Sequence, residues 1–264
     1  YKMDYEIMLD YHKANNADVT IAAMPVSMEE ASRFGILITD ENSRVTEFEE
    51  KPKHPRSNLA SMGIYIFSWK VLRDSLIELS KEPGCDFGKH IIPHVFNNGG
   101  RIFSYEYNGY WKDVGTLQTY WEANMELVDI IPEFNLYEEY WKIYTKGDII
   151  TPQYISAKSV INRSIIGEGV EVYGEVDSSV IGAGVVIEEG AVVKDSIIMK
   201  GSRIGANSRV TKAIIAENSV VGKNCEIGAF EFSESKYDKK VYNCDLAVVG
   251  EKTTVPDGIV IGKN

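Results

Sequence analysis

Apolar and polar residues alternate with two different periods along this 264-residue chain, and the change of period divides it in two. Up to about residue 131 the pattern switches between the helical and the strand repeat. In "DYEIMLDYHKANN" apolar residues recur at helical spacing and the run closes on asparagine. "ADVTIAAMPV" is β-branched and strand-like, and "SMEEASRF" opens with serine ahead of two glutamates, the signature of a helix N-terminus. "GILITDENSRVTEFEEKP" holds two alternating runs around Asp40 to Ser43 and predicts a hairpin; "ASMGIYIF" predicts a further strand. Helices are predicted over "SWKVLRDSLIEL" and "DFGKHIIPHVFNNGG", the second closing on a glycine pair suited to a C-terminal cap. "RIFSYEYNGYWKDVGT" adds extended chain before the amphipathic "LQTYWEANMELVDII". Strands alternating with helices imply a layered α/β domain over residues 1–131. Residues 132–154, with aromatic anchors in "PEFNLYEEYWKIYTKGDIITPQYI", read as a linker.

From about residue 155 the pattern changes. Aliphatic residues stand at 181, 187 and 193, then 198, 204 and 210, then 215, 221 and 227, each triplet beginning 17 residues after the last. Ile166 and Val172 precede the series, and Val249, Val255 and Ile261 resume it after an irregular segment, "FEFSESKYDKKVYNCD". Glycine follows the aliphatic position at 167, 182, 205, 222, 228, 250 and 262. A step near six residues gives three short parallel strands per coil, one apolar side chain from each filling the axis and glycine turning the corners. An amphipathic helix cannot produce that period, and an antiparallel sandwich would alternate strictly. Residues 155–264 are therefore expected to form a parallel β-helix.

Composition narrows the partners. With 28 basic and 39 acidic residues the net charge is -11, which argues against a nucleic-acid surface and against attraction to anionic lipid. No apolar run approaches 18 residues and no charged-then-apolar leader is present, so neither a membrane span nor export is expected, and the cytoplasm is the expected compartment. Cys85, Cys225 and Cys244 are unevenly spaced and form no CxxC pair, which suits reduced, packed thiols. His90 and His94 stand four apart on a predicted helix, but without a carboxylate that spacing is weak evidence for a metal.

Five segments, "ASRFGI", "EFEEKPK", "SNLASMGIYIF", "DFGKHIIP" and "GYWKDVGT", occur in the order and spacing that resembles bacterial glucose-1-phosphate adenylyltransferase, the ADP-glucose pyrophosphorylases of glycogen biosynthesis. The likeness runs from Tyr1 to Asn264. It implies part of a Rossmann-like nucleotidyltransferase domain followed by a left-handed β-helix, a homotetramer, and allosteric control by central-carbon metabolites. The family's opening phosphate loop, resembling GGxGxRLxPLT, and a metal-binding Gly-Asp pair ahead of the segment matching "YKMDY" are not in this sequence. A portion carrying the sugar-phosphate half of the site, inactive alone, is the expectation.

In that family glucose 1-phosphate attacks the α-phosphorus of ATP, so catalysis is alignment and charge neutralisation with Mg²⁺ on phosphate oxygens. By resemblance Lys51 is catalytic, placing a compact positive charge on the sugar phosphate, and Glu50 accepts hydrogen bonds from glucose hydroxyls. Pro52 ends the strand. Asp113 matches a metal-binding, catalytic aspartate; a helix cap is its structural alternative. Ser61 suits a sugar oxygen or a main-chain bond, and Gly63 a close approach to backbone. Gly35 suits either a sugar-nucleotide contact or helix termination, and Asp86 either the sugar site or an N-cap. Trp111 suits a pocket wall or core packing. "DFG" alone makes no kinase, since no HRD segment accompanies it. A β-helix acyltransferase would need a histidine base, and none follows His94. A noncatalytic regulatory subunit and other sugar-1-phosphate nucleotidyltransferases are the neighbouring readings.

Overall fold

The computed structural model describes residues 1–80, 84–147, 150–228 and 246–262. They form two compact units, Tyr1–Gly109 and Tyr110–Asn264.

The first unit is a five-stranded mixed sheet with helices. Its strands are β1 (Val19–Pro25), β2 (Gly35–Thr39), β3 (Val45–Glu50), β4 (Leu59–Phe67) and β5 (Ile102–Glu106), in the order β3-β2-β4-β1-β5. β1 and β5 are parallel; the other pairs are antiparallel, including the β2–β3 hairpin expected around Asp40 to Ser43. The helices are α1 (Tyr5–Ala14), α2 (Met28–Ala31), α3 (Trp69–Leu79) and α4 (Ile92–Asn97). Val19, Ile21, Ala23, Leu37 and Ile102 from the sheet pack with Ile91, Ile92 and Val95. Ala31, Ile36 and Ala60 form a second cluster with Val26 and Phe34. These two clusters hold the ends of β2, β3 and β4 in place, which is where the candidate residues sit.

Two departures from regular structure matter. Between Ile21↔Tyr65 and Ala23↔Ser61 the β1–β4 register shifts, so β4 carries extra chain there. Gly63 takes a φ of +74 within it, a backbone state that glycine enters without a side-chain clash. The helix expected from Asp86 begins instead as a π turn, Phe87–Ile91, before continuing as α4. The expected glycine cap does close α4: Gly99 N–H donates to Phe96 O and Gly100 N–H to Val95 O, with Gly99 at φ +78.

In the second unit the short strands from Tyr154 to Ile261 stack into three parallel sheets of six, five and six strands among the described residues. The axial residues Ile181, Ile187, Val193, Ile198, Ile204, Val210, Ile215, Val221 and Ile227 are all buried in one cluster. Gly182 and Gly205 stand at corners where a Cβ would meet the next coil's backbone, at 2.7 Å from Lys200 N and 2.5 Å from Gly222 C. α5 (Leu117–Glu126) belongs to this unit: Tyr120, Trp121 and Met125 pack on Ile197, Ile214 and Leu246, and Trp121 Nε1–H donates to Asp195 O at 2.8 Å. The contact-defined unit starting at Tyr110 therefore includes α5, whose apolar side is partly covered by the coils.

The irregular segment 230–245 and Cys244 lie outside the described residues. Among the described residues no helix is long and apolar enough to cross a membrane. Cys225 is a buried free thiol and Cys85 an exposed one.

Candidate functional site

Gly35, Glu50, Lys51, Ser61 and Asp86 all lie in the first unit. Gly35 opens β2 and Glu50 closes β3, and the two are partners across the ladder. Lys51 ends the pairing by donating its N–H to Phe34 O at 3.0 Å, then turns the chain with φ +49. A left-handed backbone at a residue with a Cβ costs about 1–2 kcal/mol, and here it separates an exposed Lys51 side chain from the half-buried Glu50.

Glu50 is the electrostatic centre of the group. Burial raises its pKa above the ordinary glutamate range, Lys51 opposes that, Asp86 adds to it, and Lys89 opposes it; the net shift is upward. No described residue hydrogen-bonds its carboxylate. A half-buried carboxylate with cationic neighbours and no donor of its own is an acceptor left open to a ligand.

Ser61 is buried on β4. Its hydroxyl accepts the Gly63 N–H at 3.3 Å and donates to Tyr65 Oη at 3.4 Å, so it makes the main-chain bond and also orders a phenol. Burial raises the Tyr65 pKa, Ser61 lowers it, and the charges of Glu50 and Asp86 raise it. The Tyr65 ring stacks on Phe87, with centroids 5.9 Å apart and planes at 17°. Asp86 caps the π turn, Oδ1 accepting the Lys89 N–H at 2.8 Å, while its own N–H donates to His90 Nδ1 at 2.9 Å. His90 is thus engaged with backbone, and His94 lies 3.4 Å from Glu78.

Gly35 and Gly63 are glycine for different reasons. A Cβ on Gly35 would lie 2.7 Å from the Phe48 ring and 2.9 Å from Glu50 Oε2, whereas one on Gly63 meets nothing within 4 Å. Crowding by neighbouring side chains constrains the first, backbone conformation the second.

Tyr65, Phe87 and Lys89 join the group without having been singled out in the sequence. The signals were the even spacing from Ser61 to Tyr65 along one strand and the flanks of Asp86 in "DFGK".

Asp113 and Trp111 belong to the second unit, half-buried in chain without helix or strand ahead of α5. Thr116 caps α5, in a reciprocal pair with Thr119, so Asp113 is not the helix cap. Among the described residues no three His, Cys, Asp or Glu side chains are grouped to hold a metal. Asp113 contributes a single carboxylate, a hard oxygen ligand, rather than a complete centre among the described residues.

Residues 1–130 match the family model for nucleotidyl transferase, and residues 174–264 that for the GMPPB C-terminal domain. A glucose-1-phosphate adenylyltransferase of Lachnospira eligens is 67% identical over 264 residues, covering 100% of this chain and 62% of that protein. Its counterparts in Acetivibrio thermocellus and Thermotoga neapolitana are each 49% identical, again over 100% of the chain and over 62% and 63% of their own lengths. The chain thus spans about three fifths of the curated relatives it matches. The chain is thus similar over residues 1–130 to the nucleotidyl transferase family, and along its full length to glucose-1-phosphate adenylyltransferases.

Proposed function

We propose that the protein carrying this chain transfers the adenylyl group of ATP to glucose 1-phosphate, and that the group around Glu50 supplies the sugar-phosphate side of the site. The observation that carries this is a half-buried Glu50 carboxylate that no described residue hydrogen-bonds, lying in the favourable field of two lysines, Lys51 and Lys89. Hydroxyl donors fit the carboxylate, and a phosphate fits the cations. Tyr65 and Phe87 add an aromatic wall suited to the apolar face of a hexose ring.

In the reaction a phosphate oxygen of the sugar attacks the α-phosphorus of ATP. The new P–O bond forms as the bond to the β-phosphate oxygen breaks, and pyrophosphate leaves. Both reactants are anions, so an ammonium beside the sugar phosphate lowers their repulsion. Lys51, on a turn rather than inside the sheet, has the reach for that role. Asp113 is the candidate ligand of Mg²⁺, a hard ion that takes one or two protein carboxylates and fills the rest of its shell with water or phosphate.

The test is pyrophosphate release by the full gene product supplied with glucose 1-phosphate and ATP, with UTP, GTP and dTTP as competing donors and mannose 1-phosphate as competing acceptor. Turnover with ATP and glucose 1-phosphate above the other pairs is expected. Preference for another acceptor would overturn the sugar assignment, and preference for another donor the adenylyl assignment.

A further inference from the structure

Two glycines from separate elements crowd one carboxylate oxygen. A Cβ on Gly88, in the π turn, would lie 2.6 Å from Glu50 Oε2, 3.0 Å from Glu50 Cδ and 3.5 Å from Asp86 Oδ1. A Cβ on Gly35, the first residue of β2, would lie 2.9 Å from the same Glu50 Oε2. Neither glycine has the positive φ that would demand glycine on backbone grounds, in contrast to Gly63 and Gly99. Gly88 is buried, so the space it leaves is filled by the protein itself. A regular helix from Asp86 would distribute residues 87–91 differently around the axis; the π turn inserts the wider step that lays the bare Gly88 Cα against Glu50.

We infer that Gly88, together with Gly35, is a positioning residue for substrate: the two bare backbones form a seat that fixes the Glu50 carboxylate before the sugar arrives. The inference rests on the proposed sugar-phosphate reading and deepens it, since an acceptor held in place loses less freedom when it binds a hydroxyl. The atom that a methyl at position 88 would strike is the end of a flexible side chain, not backbone. The carboxylate therefore yields and the fold does not, so the effect is on recognition of the sugar.

Two measurements on Gly88→Ala test this. In the full gene product KM for glucose 1-phosphate is expected to rise by about tenfold, with KM for ATP in place and the melting temperature at pH 7 equal or higher. Glu50→Asp, one methylene shorter, makes room for the new methyl, so the double variant is expected to lose less than the product of the two single losses. An unchanged KM for glucose 1-phosphate overturns the inference, and so does a collapse of melting temperature with both KM values altered. Independently of turnover, a carbon-13 NMR titration of the Glu50 carboxyl is expected to show its pKa falling toward the ordinary glutamate range in Gly88→Ala, as the group moves toward solvent. If the gene product ignores glucose 1-phosphate yet the titration moves, the seat stands and the substrate reading falls. If the titration does not move, the seat falls.

Discussion

The Asp86 carboxylate accepts the Lys89 backbone N–H at 2.8 Å, so the residue that brings negative charge beside Glu50 also starts the turn carrying Phe87, Gly88 and Lys89. The two roles separate by substitution. Asn caps a helix about as well as Asp, whereas Ala loses about 1 kcal/mol. Asp86→Asn is expected to unfold in urea with the wild-type midpoint, Asp86→Ala at a lower one, and both to raise KM for glucose 1-phosphate. Equal destabilisation by the two variants would show that the charge, not the cap, supports the fold.

Glu50 is expected to trade stability for recognition. Its folded pKa is raised, chiefly by burial, so its contribution to stability is full below the unfolded glutamate pKa and is lost as pH rises through the folded value. At neutral pH the ionised carboxylate therefore destabilises the fold. Glu50→Gln should raise the melting temperature at pH 7 while weakening glucose 1-phosphate. A lower melting temperature would contradict the electrostatic reading of this side chain.

His12 gives the opposite pH signature. It is buried, with Nδ1 2.8 Å from Thr20 Oγ1 and Nε2 3.3 Å from Ser68 Oγ. Burial lowers its pKa and Asp18 only partly offsets that. A depressed folded value means that its stabilisation is present above the unfolded pKa of about 6.5 and is lost as pH falls through the folded one. Unfolding free energies at pH 7.5 and 5 should differ more for the wild type than for His12→Gln, and equal differences would remove His12 as the cause.

Buried serines tie the coils together. Ser196 Oγ donates to Lys194 O at 2.6 Å and accepts the Ala213 N–H at 3.1 Å, while the Ser196 N–H donates to Ser179 Oγ at 3.1 Å. Ser202 and Ser208 repeat the acceptance one coil on, from Ser219 and Cys225 N–H. Ser196→Ala leaves the buried Ala213 amide without that acceptor, which costs about 1–3 kcal/mol. Denaturant unfolding should show that loss, and an unchanged midpoint would mean that the ladder is not stabilising.

Asp113→Asn is expected to raise the magnesium concentration that gives half-maximal pyrophosphate release by the full gene product, since an amide oxygen is the weaker ligand. An unchanged magnesium profile would remove Asp113 from the metal site.

The axis of the coils was legible because one aliphatic residue per strand leaves a period that no helix shares, and all nine of those residues are buried. The serine ladder was not: Ser179, Ser196, Ser202 and Ser219 are polar residues in buried corners, against the binary pattern. Their 17-residue spacing in pairs was the available trace. Glu50, Lys51, Ser61 and Asp86 stood out as motif letters. Tyr65, Gly88 and Lys89 did not, because their meeting with Glu50 depends on the β1–β4 register shift and on a π turn, and apolar spacing does not separate a π turn from an α turn over five residues. The apolar stripe of α5 showed that it packs, but its partner, the coil surface at Ile197 and Ile214, comes from distant sequence.

The central claim is that the Lys51 ammonium meets the sugar phosphate, and Lys51→Gly tests it most directly because glycine also suits the φ of +49. Stability should be equal or higher, so any kinetic loss belongs to the charge. The account predicts that KM for glucose 1-phosphate rises by about 10- to 100-fold in the full gene product, as for a lost hydrogen bond to a charged group, while KM for ATP stays in place. An unaltered dependence on glucose 1-phosphate would contradict it.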